Sequence, residues 1–302
     1  MFNFKNNIVF LIAFLSMANS WADGSFFDNW LNHVSQTQEI QPHWMTPLVT
    51  VTPRLEQEYR MDFSRNYIPQ SLGTKVQTQY TGIGKGVELI PSENTEIIIG
   101  IPSYVNQSSS LAPATSGSGF ADESLLFKYR IMAANEENGN YIVTAFLGGT
   151  LPTGNTIFST YNKASNTFYH NATVTPTLAA GKGWGNRNEG LSIQSTLGYT
   201  MPTANTGFIG RTLTWSTSFQ AHEGLFWPEI ETTYYHFYEG QSVYAGKNQL
   251  VVTYGTTVGR FQIENRVKVI LGIGYQTVQG TGGSFDNPLF GHAWLGTTRV
   301  TF

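Results

Sequence analysis

The residues of this 302-residue chain that could do chemistry are charged side chains placed at alternate positions of otherwise apolar segments. A spacing of two puts such side chains on one face of an extended strand. Ten of them fall into four groups: Arg54, Glu56, Glu58 and Arg60; Lys128 and Arg130; Glu229 and Glu231; Arg266 and Lys268. Because both signs of charge are present, we predict that they line an enclosed polar face and pair with one another. We favour this bracing role over a discrete binding site.

Two of these carboxylates have a spacing that could serve catalysis. Glu229 and Glu231 are two positions apart on one strand, about 6.5 to 7 Å, a separation suited to a general acid and base. We favour structural pairing with the basic residues nearby. The six histidines show no HExxH spacing, and no GxSxG motif occurs. The sequence therefore predicts no enzyme, with no catalytic, cofactor-binding or metal-binding residue and no cofactor.

The elements that must position these side chains are β-strands. From about residue 46 onward, apolar and polar residues alternate in segments of about 10 to 16 residues, separated by turn-forming residues. In the first segment Val49 and Val51 alternate with Thr50 and Thr52, and in another Leu197 follows Thr196. Twelve segments have this pattern: 46–63, 73–90, 95–103, 121–133, 140–151, 168–181, 189–201, 208–220, 226–238, 248–258, 264–277 and 290–302.

The length of these strands and of their connections indicates a membrane barrel. Strands in soluble sheets usually have about five or six residues, whereas a tilted strand needs about 9 to 11 to cross a bilayer. Connections such as 91–94 and 221–225 are short, whereas 104–119, 152–167 and 278–289 are long. Short turns at one end and long loops at the other are typical of outer-membrane barrels. The alternative is a soluble β-sandwich, which offers no reason for this asymmetry.

We therefore predict an all-β fold, a single closed antiparallel up-and-down transmembrane β-barrel of about 12 strands that covers residues 46–302. Its apolar face should point to lipid, because every backbone group in a bilayer must be paired within the protein. Aromatic belts are expected at both interfaces. The candidates are Trp215, Phe219, Trp227, Phe237, Tyr254, Trp294 and Phe302. The sequence TLPTGNT at 150–156 returns as TMPTANT at 200–206, which predicts the same turn after two strands that point the same way.

The N-terminal 45 residues have two parts. Residues 1–22 carry Lys5, an apolar run and small residues up to Ala22, which is the layout of a signal peptide. Residues 23–45 are expected to form a periplasmic or plug segment with a short amphipathic helix at 25–35, because Phe26, Phe27, Trp30, Leu31 and Val34 recur at helical spacing. This helix could plug the lumen and gate transport, or lie on the periplasmic membrane surface.

Charge and the last residue indicate the partners. Removal of residues 1–22 leaves 16 basic and 20 acidic residues, a formal charge of −4, which argues against nucleic acid as a partner. The chain has no cysteine, so no disulfide stabilises it. Phe302 closes an alternating strand in the manner of outer-membrane barrels. We expect outer-membrane lipids, a small-molecule solute and, through Phe302, the barrel-assembly machinery as partners.

Three stretches carry a resemblance to a known family: residues 119–130 (GFADESLLFKYR), residues 148–154 (GGTLPTG) and the strand at 266–275. With the overall layout of 46–302, they resemble the outer-membrane proteins grouped as the "putative MetA-pathway of phenol degradation" family, which is similar in kind to the FadL channels for hydrophobic compounds. FadL barrels have fourteen strands, whereas this chain shows twelve.

The resemblance implies location in the bacterial outer membrane and uptake of small, hydrophobic or aromatic compounds, and it assigns no functional residue. The leading hypothesis is a passive outer-membrane channel for such solutes. Two alternatives stay open: a structural or adhesive barrel with a closed lumen, and a barrel lipid hydrolase. A measurement of solute flux would separate the passive channel from the structural or adhesive barrel.

Overall fold

The computed structural model describes residues 24–70, 73–80, 85–109, 116–155, 160–162, 167–240, 245–279 and 290–302. The predicted signal peptide lies outside the described residues. The described helices are α1 (Gly24–Glu39) and α2 (Thr206–Ile209). The described strands are β1 (Glu58–Gln70), β2 (Gly73–Tyr80), β3 (Gly86–Ser92), β4 (Thr95–Gly100), β5 (Tyr104–Ser109), β6 (Gly117–Phe120), β7 (Glu123–Ala134), β8 (Tyr141–Leu151), β9 (Thr160–Asn162), β10 (Thr167–Tyr169), β11 (Thr173–Gly185), β12 (Glu189–Pro202), β13 (Thr212–Glu223), β14 (Phe226–Phe237), β15 (Asn248–Gln262), β16 (Lys268–Gln279) and β17 (His292–Thr301).

These strands form a closed antiparallel barrel with twelve strand positions around the wall, which confirms the predicted fold class. Three of the positions are each occupied by two consecutive strands separated by a break: β2 with β3, β4 with β5, and β6 with β7. The barrel closes where β1 pairs with β17, from Glu58 opposite Thr301 to Tyr67 opposite His292. Strands β9 and β10 form a separate hairpin within the connection between β8 and β11. Neither described helix is long and apolar enough to cross a bilayer.

The connections differ between the two ends of the barrel, as the sequence predicts. At the end where β1 begins and β17 ends, here called the turn end, the links 93–94, 135–140, 186–188, 224–225 and 263–267 are short. At the opposite end, the loop end, the links 152–172, 203–211, 238–247 and 280–291 are longer. The link 71–72 between β1 and β2 is the exception. The described parts of both copies of the TLPTGNT-like repeat, 150–155 and 200–206, lie at the loop end, where Thr150 and Pro202 flank Thr173 on either side.

The outer surface of the wall is apolar. In β12, Leu191 is 58% and Leu197 49% exposed, whereas Ser192 and Gln194 between them are buried. Strand β7 alternates in the same way up to Arg130, after which a bulge shifts the register. Met132 would lie on the inner face with Arg130 if the alternation continued, but the bulge turns it outward and it is 51% exposed.

The prediction of aromatic residues on the outer face is correct for some of the candidates. Trp215, Tyr254 and Trp294 are exposed on the outer face. Near the loop end Tyr67 stacks on His292 with ring centroids 4.5 Å apart. Trp227 is wrong as a belt residue: it is only 3% exposed and faces the lumen, because it has the same strand parity as Glu229 and Glu231. Phe237 has the same strand parity as Trp227 and is therefore on the inner face as well.

The largest difference from the sequence prediction concerns residues 46–57, which precede β1 and form neither strand nor helix. Strand β1 begins at Glu58, not at about residue 46. Val49, Val51 and Leu55, expected to face lipid, therefore lie inside the barrel. Their alternation with threonines is local, and a local pattern does not reveal whether a strand partner exists.

Candidate functional site

The lumen at the turn end is occupied by residues 41–57, here called the lumen segment. Gln41, Trp44, Met45, Leu55 and Gln57 are each at most 2% exposed. The segment enters after α1 and ends where β1 begins. It lies inside a wall whose backbone hydrogen bonds are closed without it.

Basic side chains of the wall donate hydrogen bonds to backbone carbonyls of the lumen segment. Arg299 of β17 donates to Thr46 O and, at 2.8 Å, to Pro47 O. Arg60 of β1, which faces Arg299 across the closing strand pair, donates to Pro47 O and Leu48 O.

Two further cations act in the same way from other strands. Arg260 of β15 donates to His43 O at 2.6 Å and to Trp44 O at 2.9 Å. Lys128 of β7 donates to Arg54 O at 3.1 Å. Cations from four strands therefore satisfy the carbonyls of one coil.

Carboxylates of the wall accept the N–H groups of the same segment. Glu231 accepts from Val49 N at 2.8 Å and from Thr50 N at 2.6 Å. Glu229 accepts from Leu48 N at 3.2 Å and from the wall residue Gln220 at 2.7 Å. The two carboxylates that could have served as acid and base thus hold the backbone of the lumen segment.

Neutral polar side chains complete this set of contacts. Gln194 of β12 donates to Met45 O at 3.0 Å and Thr144 of β8 to Pro53 O at 2.6 Å. Buried polar backbone groups are costly unless they are hydrogen-bonded. The wall therefore supplies the partners that a sheet would normally provide.

Two apolar side chains anchor the segment in the wall. Trp44 packs with Ile142, Trp227 and Ile270, and its indole N–H donates to Asn140 at 2.8 Å. A Cβ added at Gly181 or Gly183 would overlap the Trp44 ring.

The second anchor also fits against glycines. A Cβ at Gly272 would lie 2.7 Å, and one at Gly274 2.9 Å, from a Leu48 methyl carbon, and a Cβ at Gly255 would be closer still. Real Cβ atoms are not found this close to another carbon. Glycines in the wall thus form the space for Leu48.

Helix α1 lies at the turn end and covers the lumen segment. Val34 packs on Leu55 and Ile90, and Trp30 donates from its indole to Ile90 O at 2.9 Å. Arg266 donates to Leu31 O at 2.8 Å. The helix is longer than the predicted 25–35. The element inside the lumen is the coil after the helix, not the helix itself.

The ten charged residues singled out from the sequence divide among these elements. Arg54 and Glu56 lie on the lumen segment, not on the first strand as predicted. They form an ion pair with each other at 2.8 Å. Glu58 and Arg60 lie on β1, Lys128 and Arg130 on β7, and Glu229 and Glu231 on β14, all buried. Arg266 lies in the turn before β16, and Lys268 begins β16 and is partly exposed.

Pairing among these residues is partial. Lys128 pairs with Glu96 of β4 at 2.8 Å, and Arg60 with Asp62 of its own strand at 2.9 Å. Arg130 donates to Thr37 O, in the last turn of α1, at 2.8 Å. Of these three contacts, only the one made by Arg130 reaches the N-terminal part of the chain, and only that of Lys128 is a cross-strand pair.

Sequence reasoning missed several residues of the site. Arg299 could have been found, because it alternates with Trp294, Thr298 and Val300 on the last strand and so faces inward. Arg260 lies at a bulge with a positive φ of 66°, and no sequence pattern indicates its direction. Among the described residues, no three His, Asp or Glu side chains lie together as a metal site.

The lumen wall toward the loop end has a different chemistry. Its side chains are hydroxyls and amides that bond to each other across strands. Thr175 lies 3.0 Å from Thr200 and Ser216 3.1 Å from Thr233, and Gln276 donates to Thr253 at 2.9 Å.

An ionic cluster lies at the turn end where the lumen segment begins. Glu136 accepts from His43 N at 2.6 Å, and the His43 ring lies 2.9 Å from the same carboxylate. Burial alone would raise the pKa of Glu136, but the hydrogen bonds with His43 outweigh it and lower this pKa to about 2. Arg187 lowers the pKa of Glu39 by its hydrogen bond. An open cavity of about 520 Å³ adjoins this cluster, lined by residues that include Glu136 and Arg187.

Comparisons with known proteins give only structural likenesses. No protein-family model and no curated protein matches the chain. The NanC porin has a TM-score of 0.45 at 10% identity over 80% of this chain and 98% of its own. An outer membrane channel from Pseudomonas putida F1 has a TM-score of 0.45 at 12% identity over 80% and 94%. The translocator domain of the autotransporter NalP from Neisseria meningitidis has a TM-score of 0.44 at 14% identity over 81% and 86%.

Proposed function

We propose that this chain is a bacterial outer-membrane channel for small solutes and that the lumen segment closes it. The observation that carries the proposal is the polar character of the wall that holds the segment. Withdrawal of the segment would leave Arg60, Arg299, Glu229 and Glu231 facing a space that water can fill. A lumen that served only as a core could be filled by side chains of the wall itself, whereas here a separate segment fills it.

Location in the outer membrane is supported by the outer surface. Exposed leucines and aromatic residues cover the wall between short turns and longer loops, which suits a bilayer with the turns in the periplasm. Outer-membrane lipids are then the partner of this surface. The barrel-assembly machinery is the proposed partner of Phe302, whose N–H is bonded to Gln57 O at 3.2 Å.

The family resemblance favours hydrophobic or aromatic solutes. The three stretches that carry it include two that meet at the loop end, where Gly154 N–H donates to Asp122 at 2.9 Å. Membership of the phenol-degradation family is part of the proposal. The charged and hydroxyl-bearing lumen wall favours solutes with polar groups over purely apolar ones.

The test is a reversible lock on the lumen segment. The chain has no cysteine, so Leu48→Cys with Gly274→Cys introduces the only two thiols. A Cβ at 274 lies 2.9 Å from a Leu48 methyl carbon, so the two introduced side chains adjoin each other. In planar bilayers we expect channel openings from the reduced protein and none from the oxidised protein. Each single cysteine variant, oxidised in the same way, is the matched control.

A closed structural barrel gives a different result. If the protein is a closed structural barrel, the reduced Leu48→Cys/Gly274→Cys protein would not conduct. A separate Thr50→Cys variant shows whether the segment leaves the lumen, because its thiol then reacts with a water-soluble maleimide. Thr50 is 1% exposed and its hydroxyl has no hydrogen-bond partner, so this substitution removes no bond. Silent bilayers together with a reactive thiol would reject the channel.

A further inference from the structure

We propose that the lumen wall is a binding site for extended peptides, that the lumen segment occupies this site in cis, and that short peptides are a solute class of the channel. The statement on solutes rests on the proposed channel function. The statement on binding does not, because binding is measured without conductance.

The first observation is that most polar contacts of the wall with the segment go to its main chain; the Thr52 hydroxyl, which donates to Gln194, is an exception. Arg60, Arg260 and Arg299 each bond two consecutive carbonyls of the segment. Glu231 accepts from two consecutive N–H groups. Every peptide carries these groups whatever its sequence, so these contacts select for an extended backbone.

The second observation is a pair of pockets that select for anchors. The Trp44 pocket is floored by Gly181 and Gly183, and its rim offers the Asn140 amide oxygen to the indole N–H. The Leu48 pocket is formed by glycines of β15 and β16. An aromatic residue followed four positions later by an aliphatic one therefore fits the wall.

The third observation is the proline content of the occupant. Pro42, Pro47 and Pro53 lie within its 17 residues. Proline favours an extended backbone and has no N–H that would need a partner. The carbonyls of Pro47 and Pro53 both accept bonds from the wall. The ligand class is thus an extended, proline-containing peptide with two apolar anchors.

The test uses the full chain with Trp44→Ala and Leu48→Ala, which empties both pockets and leaves every wall residue intact. The probe is a fluorescent 17-residue peptide with the sequence of residues 41–57, and its binding is measured by anisotropy in detergent. We expect half-saturation at a concentration at least tenfold lower than for the unsubstituted chain. Heat-modifiable gel mobility verifies that the barrel is folded.

Two further peptides separate main-chain recognition from sequence recognition. The first keeps the tryptophan, the leucine and the three prolines and has alanine or serine elsewhere, and it is expected to bind within about tenfold of the native peptide. The second is a scramble of the same composition and is expected to lose binding. Glu231→Gln in the wall should weaken the native and the anchor-only peptide alike. The oxidised Leu48→Cys/Gly274→Cys protein should bind none of them.

Each opposite result overturns the inference. A folded double variant that does not bind the native peptide would do so, as would equal binding of the scramble. If the thiol of Thr50→Cys in the double variant stays unreactive, the two anchors do not hold the segment and the inference fails as well. Conductance without peptide binding would reject peptides alone, whereas peptide binding without conductance would reject the channel and leave the site.

Discussion

Helix α1 and the lumen segment follow each other in the chain, yet the barrel holds them in different ways. Helix α1 forms backbone hydrogen bonds within itself, and its Phe27 side chain is 36% exposed. Only one side of the helix, which carries Trp30 and Val34, packs against the turn end. The lumen segment has no backbone pairing of its own and is bonded by strands all around the wall. Loss of the helix would therefore remove partners from a few cations at the turn end, such as Arg130 and Arg266, whereas loss of the segment would remove partners from cations and carboxylates of several strands at once.

The largest effect should separate the two tryptophans. In a Thr50→Cys background, Trp44→Ala removes a buried anchor, a type of substitution that costs about 3 to 5 kcal/mol. We expect the thiol to react with a water-soluble maleimide at least about a hundredfold faster. Trp30→Ala, on the partly exposed helix, is the matched control and should change the rate less than about tenfold. Equal acceleration by both would show that helix and segment leave together.

A smaller effect should follow from loss of one wall acceptor. Glu231→Gln retains the volume but offers one acceptor oxygen to two N–H groups, and an unpaired buried donor costs about 1 to 3 kcal/mol. The labelling rate should rise about tenfold. Arg266→Gln, which removes a bond to α1, should leave the rate within about threefold. A larger effect of Arg266→Gln would make the helix the stronger of the two holds.

Deletion of residues 24–39 tests the hypothesis that α1 gates the channel. Because the coil after the helix fills the lumen, we expect single-channel conductance and the labelling rate to change less than with Trp44→Ala. Residues 1–23 are kept in this variant. Open channels in the deletion variant, with a labelling rate as high as that of Trp44→Ala, would restore the helix as the gate.

The smallest effect should come from acid. The pKa of Glu136 is lowered to about 2 from an ordinary 4.5, so its contribution to stability is fully present above pH 4.5. That contribution is lost as the pH falls from 4.5 through about 2. We expect hydrogen-exchange protection of the His43, Trp44 and Met45 amides, corrected for intrinsic rates, to fall in this window.

Two variants identify the group responsible for the acid effect. Glu136→Gln should remove the pH dependence of protection. Glu39→Gln should keep most of it, because the Glu39 side chain is 59% exposed. Loss of the dependence in Glu39→Gln alone would assign the effect to the pair that Glu39 forms with Arg187.

The wall could be predicted from the sequence because its pattern follows directly from its surroundings. Lipid on one side and the lumen on the other force the alternation of Leu191 and Leu197 with Gln194 in β12. The same alternation, applied strictly, would have placed the Trp227 side chain inside the lumen. It would also have placed Arg299 among the cations that face inward. The bulge after Arg130 is a local irregularity without a sequence signal, so strict alternation would place Met132 on the wrong face.

The lumen segment could not be predicted in the same way. Val49 and Val51 alternate with Thr50 and Thr52 as in a strand, and the partners of their backbone are side chains far away in sequence. One signal was present: Pro47 and Pro53 cannot donate to a ladder and are unusual within a central strand. They indicate an extended segment that no neighbouring strand pairs.

Arg60 and Arg299 face each other where the first and last strands meet, and like charges directly opposite in a sheet repel. Both donate to the carbonyl of Pro47, which places a negative dipole between them. The seam is thus most stable with the segment already inside. Because pairing of strands that are far apart in the chain is slow, a lumen segment that is already in place would help β17 to find β1 during folding.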